Sequence, residues 1–334
     1  MKAAVLHAPK DLRIGSAPDP GPAPGEVIVR VGVAGLCGTD YRIWSGDRPV
    51  NYPLIMGHEF VGVVSAVGEG VSHLKPGDKV AVEPNYSCGH CPLCVEGNRN
   101  LCASRTAVGV DVDGGFAQLA RLPGRCCWVA PPGLTDAQVL LTEPLAVVTR
   151  AVARGEVQPG ESAAVLGVGT LGLLALQVLK ARGARLLAVG RTEHWLDLAR
   201  DLGAEAIHSL ASGSGSEAAR RFSGREGVDL VVETAGTPEA VAEAILLVRP
   251  GGRVVLTGLP HAPSTVNFFW VVRRELRIIG SMIYRDEFPE AMKLLASGAV
   301  KVERLVTHRF PLEAIQEAFA AHRSPESIKV AVIQ

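Results

Sequence analysis

The sequence predicts an α/β chain of two domains, a mostly-β, barrel-like N-terminal domain and a doubly wound parallel sheet. Short Val- and Gly-rich segments, such as GEVIVRVGVAG (25–35) and FVGVVSAVG (60–68), follow one another to about residue 145 and are separated by Gly and Pro turns, as expected of β-strands. Beyond that point apolar strands alternate with helical patterns, which is typical of a parallel sheet. The length of 334 residues also favours two domains, because single cores stop growing at ~250–300 residues.

The individual elements of the second half follow from apolar runs and capping residues. Helices are predicted over 171–182, 193–202 and 238–248, the last with Pro238 in the first position after Thr237 as N-cap. The tail predicts an amphipathic helix over 288–296 and a closing strand over 328–333 that packs back on the first domain. We therefore expect a catalytic domain over 1–145, completed by 285–334, and a dinucleotide-binding domain over 146–284.

Charge and hydropathy exclude several classes of function. Lys plus Arg and Asp plus Glu both number 34, so the net charge is zero and nothing favours a nucleic-acid partner. The N-terminus lacks the apolar stretch of a secretory signal. The uncharged run 162–179 is slightly short of the ~20 residues that span a membrane, and its glycines follow a different pattern. A cytoplasmic chain without a membrane partner is expected.

The glycines of the run 162–179 form a G-x-G-x-x-G motif. Gly167, Gly169 and Gly172 lie between an apolar strand and an apolar helix. The first glycine permits a tight turn, the second lets the backbone approach a pyrophosphate, and the third lets helix and strand pack closely. Thr170 and Leu171 begin the helix, whose N-terminal N–H groups favour an anion. A dinucleotide site is predicted, the alternative being a glycine-rich turn without a ligand.

The residues after the second strand of this sheet bear on the choice of dinucleotide. The strand ends at Gly190 and is followed by Arg191, where NAD-binding chains place a carboxylate for the ribose 2′-hydroxyl. Arg191 can pair with a 2′-phosphate instead, which favours NADP over NAD. The alternative is that Arg191 stacks on adenine while Glu193 or another group serves NAD.

Four of the seven cysteines, Cys88, Cys91, Cys94 and Cys102, crowd into one loop. Four thiolates at this spacing suit a closed, tetrahedral structural zinc site. An iron–sulfur run needs a third gap of three residues and a following Pro, whereas here the gap is seven and Ala103 follows. A zinc ribbon needs two C-x2-C pairs ~15–20 residues apart. Structural zinc is therefore predicted, with a lost site as the remaining alternative.

Two shorter motifs complete the pattern: Cys37-Gly38-Thr39-Asp40 after a strand, and Gly57-His58-Glu59 about 20 residues later. Alone, each is ordinary, since a lone Cys is usually a small buried hydrophobe. Together with the cysteine loop and the glycine pattern they give the chain a clear resemblance, over residues 1–334, to the medium-chain zinc dehydrogenases, the family of zinc alcohol, sorbitol, threonine and butanediol dehydrogenases. Further shared motifs are PAPGEVIVRV (22–31), GHEFVGVV (57–64), DGGFA (113–117), TEPLAVV (142–148), GVGTLG (167–172) and GRVVLTG (252–258).

The resemblance implies a GroES-like first domain, a Rossmann second domain and a second, catalytic zinc. Cys37 and His58 are the implied catalytic ligands, with Glu59 beside them and Glu143 where the polyol branch places a carboxylate. Either glutamate can be the third ligand, leaving an open position for water or substrate. The alternative for Glu143 is a helix N-terminal carboxylate stabilised by the dipole.

The resemblance also implies a proton relay that starts at the hydroxyl of Thr39. The family often ends this relay with a histidine three positions further on, but here Arg42 stands there, and arginine accepts no proton. The exit of the relay is therefore open, while the hydride chemistry is unaffected.

The expected activity is hydride transfer between a secondary alcohol, in a polyol, sugar derivative or diol, and a nicotinamide cofactor. A simple alcohol or aldehyde substrate, threonine, and a non-catalytic NADPH-binding relative are the alternatives; the last typically loses zinc ligands, which this chain keeps. The family resemblance further implies a homo-oligomer, a tetramer or a dimer.

Overall fold

The computed structural model describes residues 1–334. The strands, in chain order, are β1 Lys2–Ala8, β2 Asp11–Ser16, β3 Glu26–Leu36, β4 Leu54–Ile55, β5 Glu59–Val67, β6 Lys79–Val82, β7 Asn85–Tyr86, β8 Thr106–Ala107, β9 Leu119–Pro123, β10 Cys127–Val129, β11 Ser162–Leu166, β12 Arg185–Gly190, β13 Ala206–Ser209, β14 Val228–Glu233, β15 Val248–Leu256, β16 Arg277–Gly280, β17 Val306–Pro311 and β18 Lys329–Ile333. The helices are α1 Gly38–Ser45, α2 Pro92–Val95, α3 Asp136–Leu140, α4 Thr142–Arg154, α5 Thr170–Ala181, α6 Glu193–Asp201, α7 Gly215–Ser223, α8 Pro238–Leu247, α9 Phe268–Arg273, α10 Phe288–Ala296 and α11 Ile315–His322. No helix combines the length and the apolar character that a membrane crossing requires.

The chain divides into two compact units, Met1–Glu143 with Val302–Gln334, and Pro144–Lys301. The sequence predicts that all of 285–334 completes the first unit, whereas the structure places 285–301 in the second. Side-chain contacts within the second unit explain this difference. Glu287 pairs with Arg150 at 3.3 Å, and the backbone N–H of Lys301 donates to the Gln177 side chain at 2.7 Å.

The first unit is built around the long strand β3. Its largest sheet has the order β10-β6-β5-β3-β18-β17, with β9 also paired to β3, and two smaller sheets have the orders β2-β1-β4 and β7-β8. The closing strand β18 pairs antiparallel with β3, as the sequence predicts. Buried aromatic and aliphatic side chains such as Phe60, Phe116 and Leu122 fill the core of this unit.

Strand register in the first unit brings distant residues together at one end of β3. Glu59, the first residue of β5, pairs with Gly35 of β3, and Ala331 of β18 pairs with the same Gly35 from the other side. Because Cys37 follows directly after β3 and His58 directly precedes β5, this register also brings their side chains to the same place.

The second unit is a six-stranded sheet in the order β13-β12-β11-β14-β15-β16, and every pair in it is parallel. The chain reverses its direction of winding between β11 and β14, so their carboxyl ends form the switch point at which such sheets bind ligands. The three predicted helices are confirmed as α5, α6 and α8. Thr237 caps α8, because its hydroxyl accepts a hydrogen bond from the N–H of Ala240 at 3.2 Å.

A buried carboxylate ties β11 to β14 at the opposite end of this sheet. Oδ2 of Asp229 accepts hydrogen bonds from the N–H and the hydroxyl of Ser162 at 2.8 and 2.6 Å, and Oδ1 accepts one from Nε of Arg249 at 2.6 Å. Burial alone would raise the pKa of Asp229, but these hydrogen bonds lower that pKa to about 2.

We expect Asp229→Asn to lower the free energy of unfolding by about 2 kcal/mol, since it weakens charge-assisted bonds to Ser162 and Arg249. The contribution is present above the unfolded pKa, near 3.8, and is lost as the pH falls towards 2. Thermal unfolding of both proteins at several pH values measures the difference. Asp197→Asn, at an exposed pair with Arg200, is the control and should change little. A difference that does not shrink in acid would contradict this account.

Candidate functional site

Three potential metal ligands converge where β3 and β5 meet. One donor atom from each of Cys37, His58 and Glu59 lies within 4.8 Å of the other two, and His58 and Glu59 are buried. Thiolate, imidazole and carboxylate together form a set that suits a zinc ion. The residues that the family resemblance implies as ligands are thus brought together, although about 20 positions separate Cys37 from the other two.

Asp40 organises two members of this set. It is fully buried, its Oδ2 accepts a hydrogen bond from the N–H of Cys37 at 2.9 Å, and its Oδ1 lies 3.3 Å from Nδ1 of His58. Burial alone would lower the pKa of His58, but the negative charges of Asp40 and Cys37 raise it well above its ordinary value. With Nδ1 turned to Asp40, Nε2 is the ring nitrogen left for a metal, an arrangement typical of metal-binding histidines.

Glu59 forms a buried ion pair that the sequence did not indicate. Nζ of Lys329 donates to Oε2 of Glu59 at 2.6 Å, and both side chains are almost fully buried. The available signal was a single lysine at the start of the otherwise apolar strand β18.

The other residues predicted for this site lie nearby in the fold. Thr39 is half-buried in the first turn of α1, two positions after Cys37. Glu143 is buried in the first turn of α4, outside the three-residue set, and its charge contributes to raising the pKa of Lys329. Glu143 therefore occupies a helix start, as the dipole alternative requires, but also lies within electrostatic range of the set.

The four cysteines of the loop 88–102 form a second cluster. Their sulfurs lie 3.5 to 3.9 Å apart across four pairs, and none is in a disulfide. Zinc–sulfur bonds of about 2.3 Å in a tetrahedron put neighbouring sulfurs about 3.8 Å apart, so the observed spacing fits one zinc ion.

The pKa values of the Cys88 and Cys91 thiols are shifted in opposite directions within this cluster. Hydrogen bonds from the backbone N–H groups of His90 and Cys91 lower the pKa of Cys88 to about 6. A backbone hydrogen bond from Cys94 would lower the pKa of Cys91, but the neighbouring sulfurs raise it to about 11. Neighbouring thiolates repel one another, so a metal cation stabilises such a cluster.

The glycine pattern of the second unit forms a tight turn between β11 and α5. Gly167 has a φ of 102°, and a Cβ at Gly172 would lie 1.8 Å from the carbonyl oxygen of Gly167. Gly169 is the N-cap of α5 and would accept a Cβ without any protein atom within 4 Å. Gly169 alone thus has open space beside it, whereas the other two glycines are required by the turn itself.

Side chains at the end of β14 and directly after it hold the neighbouring backbone, and Thr234 bonds to the turn itself. The Thr234 hydroxyl donates to the carbonyl oxygens of Leu166 and Gly167, both at 3.1 Å, and the fully buried Glu233 accepts a hydrogen bond from the N–H of Gly236 at 2.7 Å. Neither residue was singled out from sequence.

Gly190 is the last residue of β12, and Arg191 follows it directly. A Cβ at Gly190 would lie 2.6 Å from Cγ2 of Val168, so glycine lets the end of β12 approach the turn. Arg191 follows as an exposed residue, and its charge contributes to lowering the pKa of Glu239, after hydrogen bonds from the backbone and from Thr237.

Comparisons with known proteins agree with this geometry. The family model of the alcohol dehydrogenase GroES-like domain matches residues 23–132, and that of the zinc-binding dehydrogenases matches 170–297. Sorbitol dehydrogenase of Bacillus subtilis is 36% identical over 341 residues, which cover 99% of this chain and 97% of the relative.

Solved structures give the same result. A zinc-binding dehydrogenase of Sinorhizobium meliloti bound to NADP is 33% identical with a TM-score of 0.96, covering 100% of this chain and 99% of that one. The RspB alcohol dehydrogenase of Escherichia coli complexed with NADH is 32% identical with a TM-score of 0.94 and the same coverage. The chain belongs to the medium-chain family of zinc-dependent alcohol and polyol dehydrogenases, oxidoreductases that use NAD or NADP. The predicted fold class and enzyme class are confirmed.

Because the space beside Gly169 is free of protein atoms, Gly169→Ala separates ligand approach from folding. We expect the variant to lose about 1 kcal/mol of stability at most, through a poorer N-cap, while its affinity for NAD and for NADP falls at least ~10-fold. Thermal unfolding and cofactor titration measure the two quantities. Gly172→Ala, whose Cβ would overlap the backbone, should lose both stability and binding. Unchanged affinity of Gly169→Ala for both NAD and NADP would show that the dinucleotide does not approach this backbone.

Proposed function

We propose that the protein reversibly oxidises a secondary alcohol of a polyol, sugar derivative or diol, with NADP as the preferred cofactor and NAD as the alternative. The observation that carries this proposal is the buried set of Cys37, His58 and Glu59, which provides three metal ligands and leaves a fourth position for the substrate. The similarity to sorbitol dehydrogenase supports a polyol-type substrate, and Arg191 in place of an acid supports NADP.

Two zinc ions per chain are part of the proposal. Cys37, His58 and a carboxylate would hold the catalytic ion, and Cys88, Cys91, Cys94 and Cys102 the structural ion. A zinc ion at the first site supplies a Lewis acid that lowers the pKa of the alcohol hydroxyl. Glu59 is the proposed third ligand because it lies within the donor set, and Glu143 is the proposed alternate ligand.

The surrounding side chains orient the ligands and move the proton. Asp40 accepts a hydrogen bond from the N–H of Cys37, and its other oxygen lies 3.3 Å from Nδ1 of His58, where its charge favours one orientation of the ring. Thr39 is the proposed first acceptor of the proton from the alcohol, and because Arg42 accepts no proton, the relay is expected to continue to solvent. The alcohol carbon loses a hydride to the nicotinamide, so the products are a ketone, the reduced cofactor and one proton.

Assembly and location are also part of the proposal. The second unit exposes large apolar side chains, Phe268, Phe269, Trp270 and Val272 on α9 and Ile278 on the edge strand β16. An apolar face beside an unpaired strand edge supports pairing with a second copy of the chain, as a homodimer or homotetramer. A cytoplasmic location remains a prediction from the sequence.

Metal content separates the enzyme from a non-catalytic relative. We expect two zinc ions per chain in the wild type and one in Cys94→Ser, because three thiolates no longer close a tetrahedron. Elemental analysis of purified protein provides the count. Cys126→Ala removes a buried thiol outside both clusters and should keep two ions. One zinc in the wild type and none in Cys94→Ser would rule out the catalytic ion.

A substrate panel tests the activity itself. Polyols, diols, simple alcohols and threonine are each offered with NAD and with NADP, and the reduced nicotinamide is followed by absorbance. We expect the highest kcat/KM for a secondary alcohol in a polyol or diol with NADP. A clear preference for primary alcohols or for threonine would replace the proposed substrate class.

The same assay tests the cofactor preference. Arg191→Ala should raise the KM for NADP roughly 10- to 100-fold, the loss expected from a charge-assisted hydrogen bond to phosphate, and should change the KM for NAD little. Arg200→Ala, at an exposed position of α6, is the matched control. Equal losses for both cofactors would contradict the assignment of Arg191 to the 2′-phosphate.

A further inference from the structure

Lys329 is a buried cation beside the proposed catalytic metal site. Only 3% of the residue is exposed, and its Nζ donates to Oε2 of Glu59 at 2.6 Å and to the carbonyl oxygen of Leu36 at 3.2 Å. Removing an ammonium group from water is unfavourable unless the group is paired. A lysine at this position is therefore unfavourable for the fold unless Glu59 stays ionised next to it.

The backbone makes room for this ion pair at Gly35. The strand order β5-β3-β18 places β3 between the two partners, and Gly35 is the residue of β3 that pairs both with Glu59 and with Ala331. A Cβ at Gly35 would lie 2.6 Å from Oε2 of Glu59. The missing side chain thus allows Lys329 to reach across β3 to the carboxylate.

Lys329 faces several negative groups at once. Burial alone would lower its pKa, but the charges of Glu59, Cys37 and Glu143 raise it. These are the same side chains that would donate to zinc. A metal ion and the ammonium group therefore compete for one carboxylate, since Oε2 of Glu59 is already bonded to Lys329.

We propose that Lys329 is a positioning residue that restrains Glu59, so that this carboxylate binds the catalytic zinc weakly and the fourth position remains open to the alcohol. The inference rests on the proposed catalytic zinc. Lys329 acts through Glu59 and does not itself touch substrate. Loss of the ammonium group frees both carboxylate oxygens of Glu59, which then bind the ion more tightly and occupy the position that the alcohol needs.

The test measures zinc affinity in Lys329→Met, starting from the holoenzyme and competing with a chromogenic chelator. Cys37→Ser identifies which phase of zinc release belongs to this site. We expect Lys329→Met to bind this zinc at least ~10-fold more tightly, with kcat reduced and zinc in the cysteine loop unaffected. Lys329→Arg keeps the charge and the hydrogen bond and should restore the wild-type affinity.

Lys329→Met leaves the buried carboxylate of Glu59 unpaired, which can impair folding. A double-mutant cycle therefore provides a second test. In a Glu59→Gln background, adding Lys329→Met removes both charges, and the zinc affinity should then be the same with Lys329 or with Met. An equal tightening in both backgrounds would mean that the ammonium acts directly on the metal, and it would overturn the role assigned to Glu59. Unchanged affinity in Lys329→Met would also overturn it.

The proposed function and this inference fail in different ways. A wild-type protein without a zinc phase that Cys37→Ser abolishes has no catalytic zinc, and the proposed function fails. A wild type that has this phase, together with a Lys329→Met variant of unchanged zinc affinity, retains the catalytic site and rejects only the role of Lys329.

Discussion

The register between β3 and β5 is the constraint on which the proposed chemistry depends. Pairing of Glu59 with Gly35 fixes the positions of Cys37, directly after β3, and of His58, directly before β5. One donor atom of each of Cys37, His58 and Glu59 therefore lies in the same small volume. A shift by one residue would turn Glu59 to the other face of the sheet. Such a shift is costly, because the first four residues of β5 are buried and their side chains would also change faces.

Electrostatics of the first unit follow from this convergence. Cys37, Glu59, Asp40 and Glu143 bring several potential negative charges into a mostly buried region, and a protein tolerates such a set only with compensating cations. Lys329 supplies one positive charge, and a zinc ion would supply two. The four sulfurs of the cysteine loop likewise need a cation to compensate their charge, and their spacing matches that of a tetrahedral metal site.

Much of this could be predicted from sequence where the interacting residues are close in the chain. The glycine turn, the cysteine loop and the start of α8 at Thr237 are local patterns, with all necessary groups within about fifteen residues. Cys37 and His58 needed the family resemblance, because spacing alone does not reveal strand register. Lys329 was missed because its partner lies 270 positions away. The unit to which 285–301 belongs could not be read from sequence, because an amphipathic helix such as α10 does not indicate which unit its apolar face contacts.

The most direct measurement is anomalous diffraction at the zinc absorption edge from crystals of the holoenzyme. We predict two peaks per chain, one among the four sulfurs of the loop 88–102 and one bonded to Sγ of Cys37, to His58 and to a carboxylate, with a fourth position left to water or substrate. A single peak at the cysteine loop, with Cys37 and His58 free of metal, would contradict it.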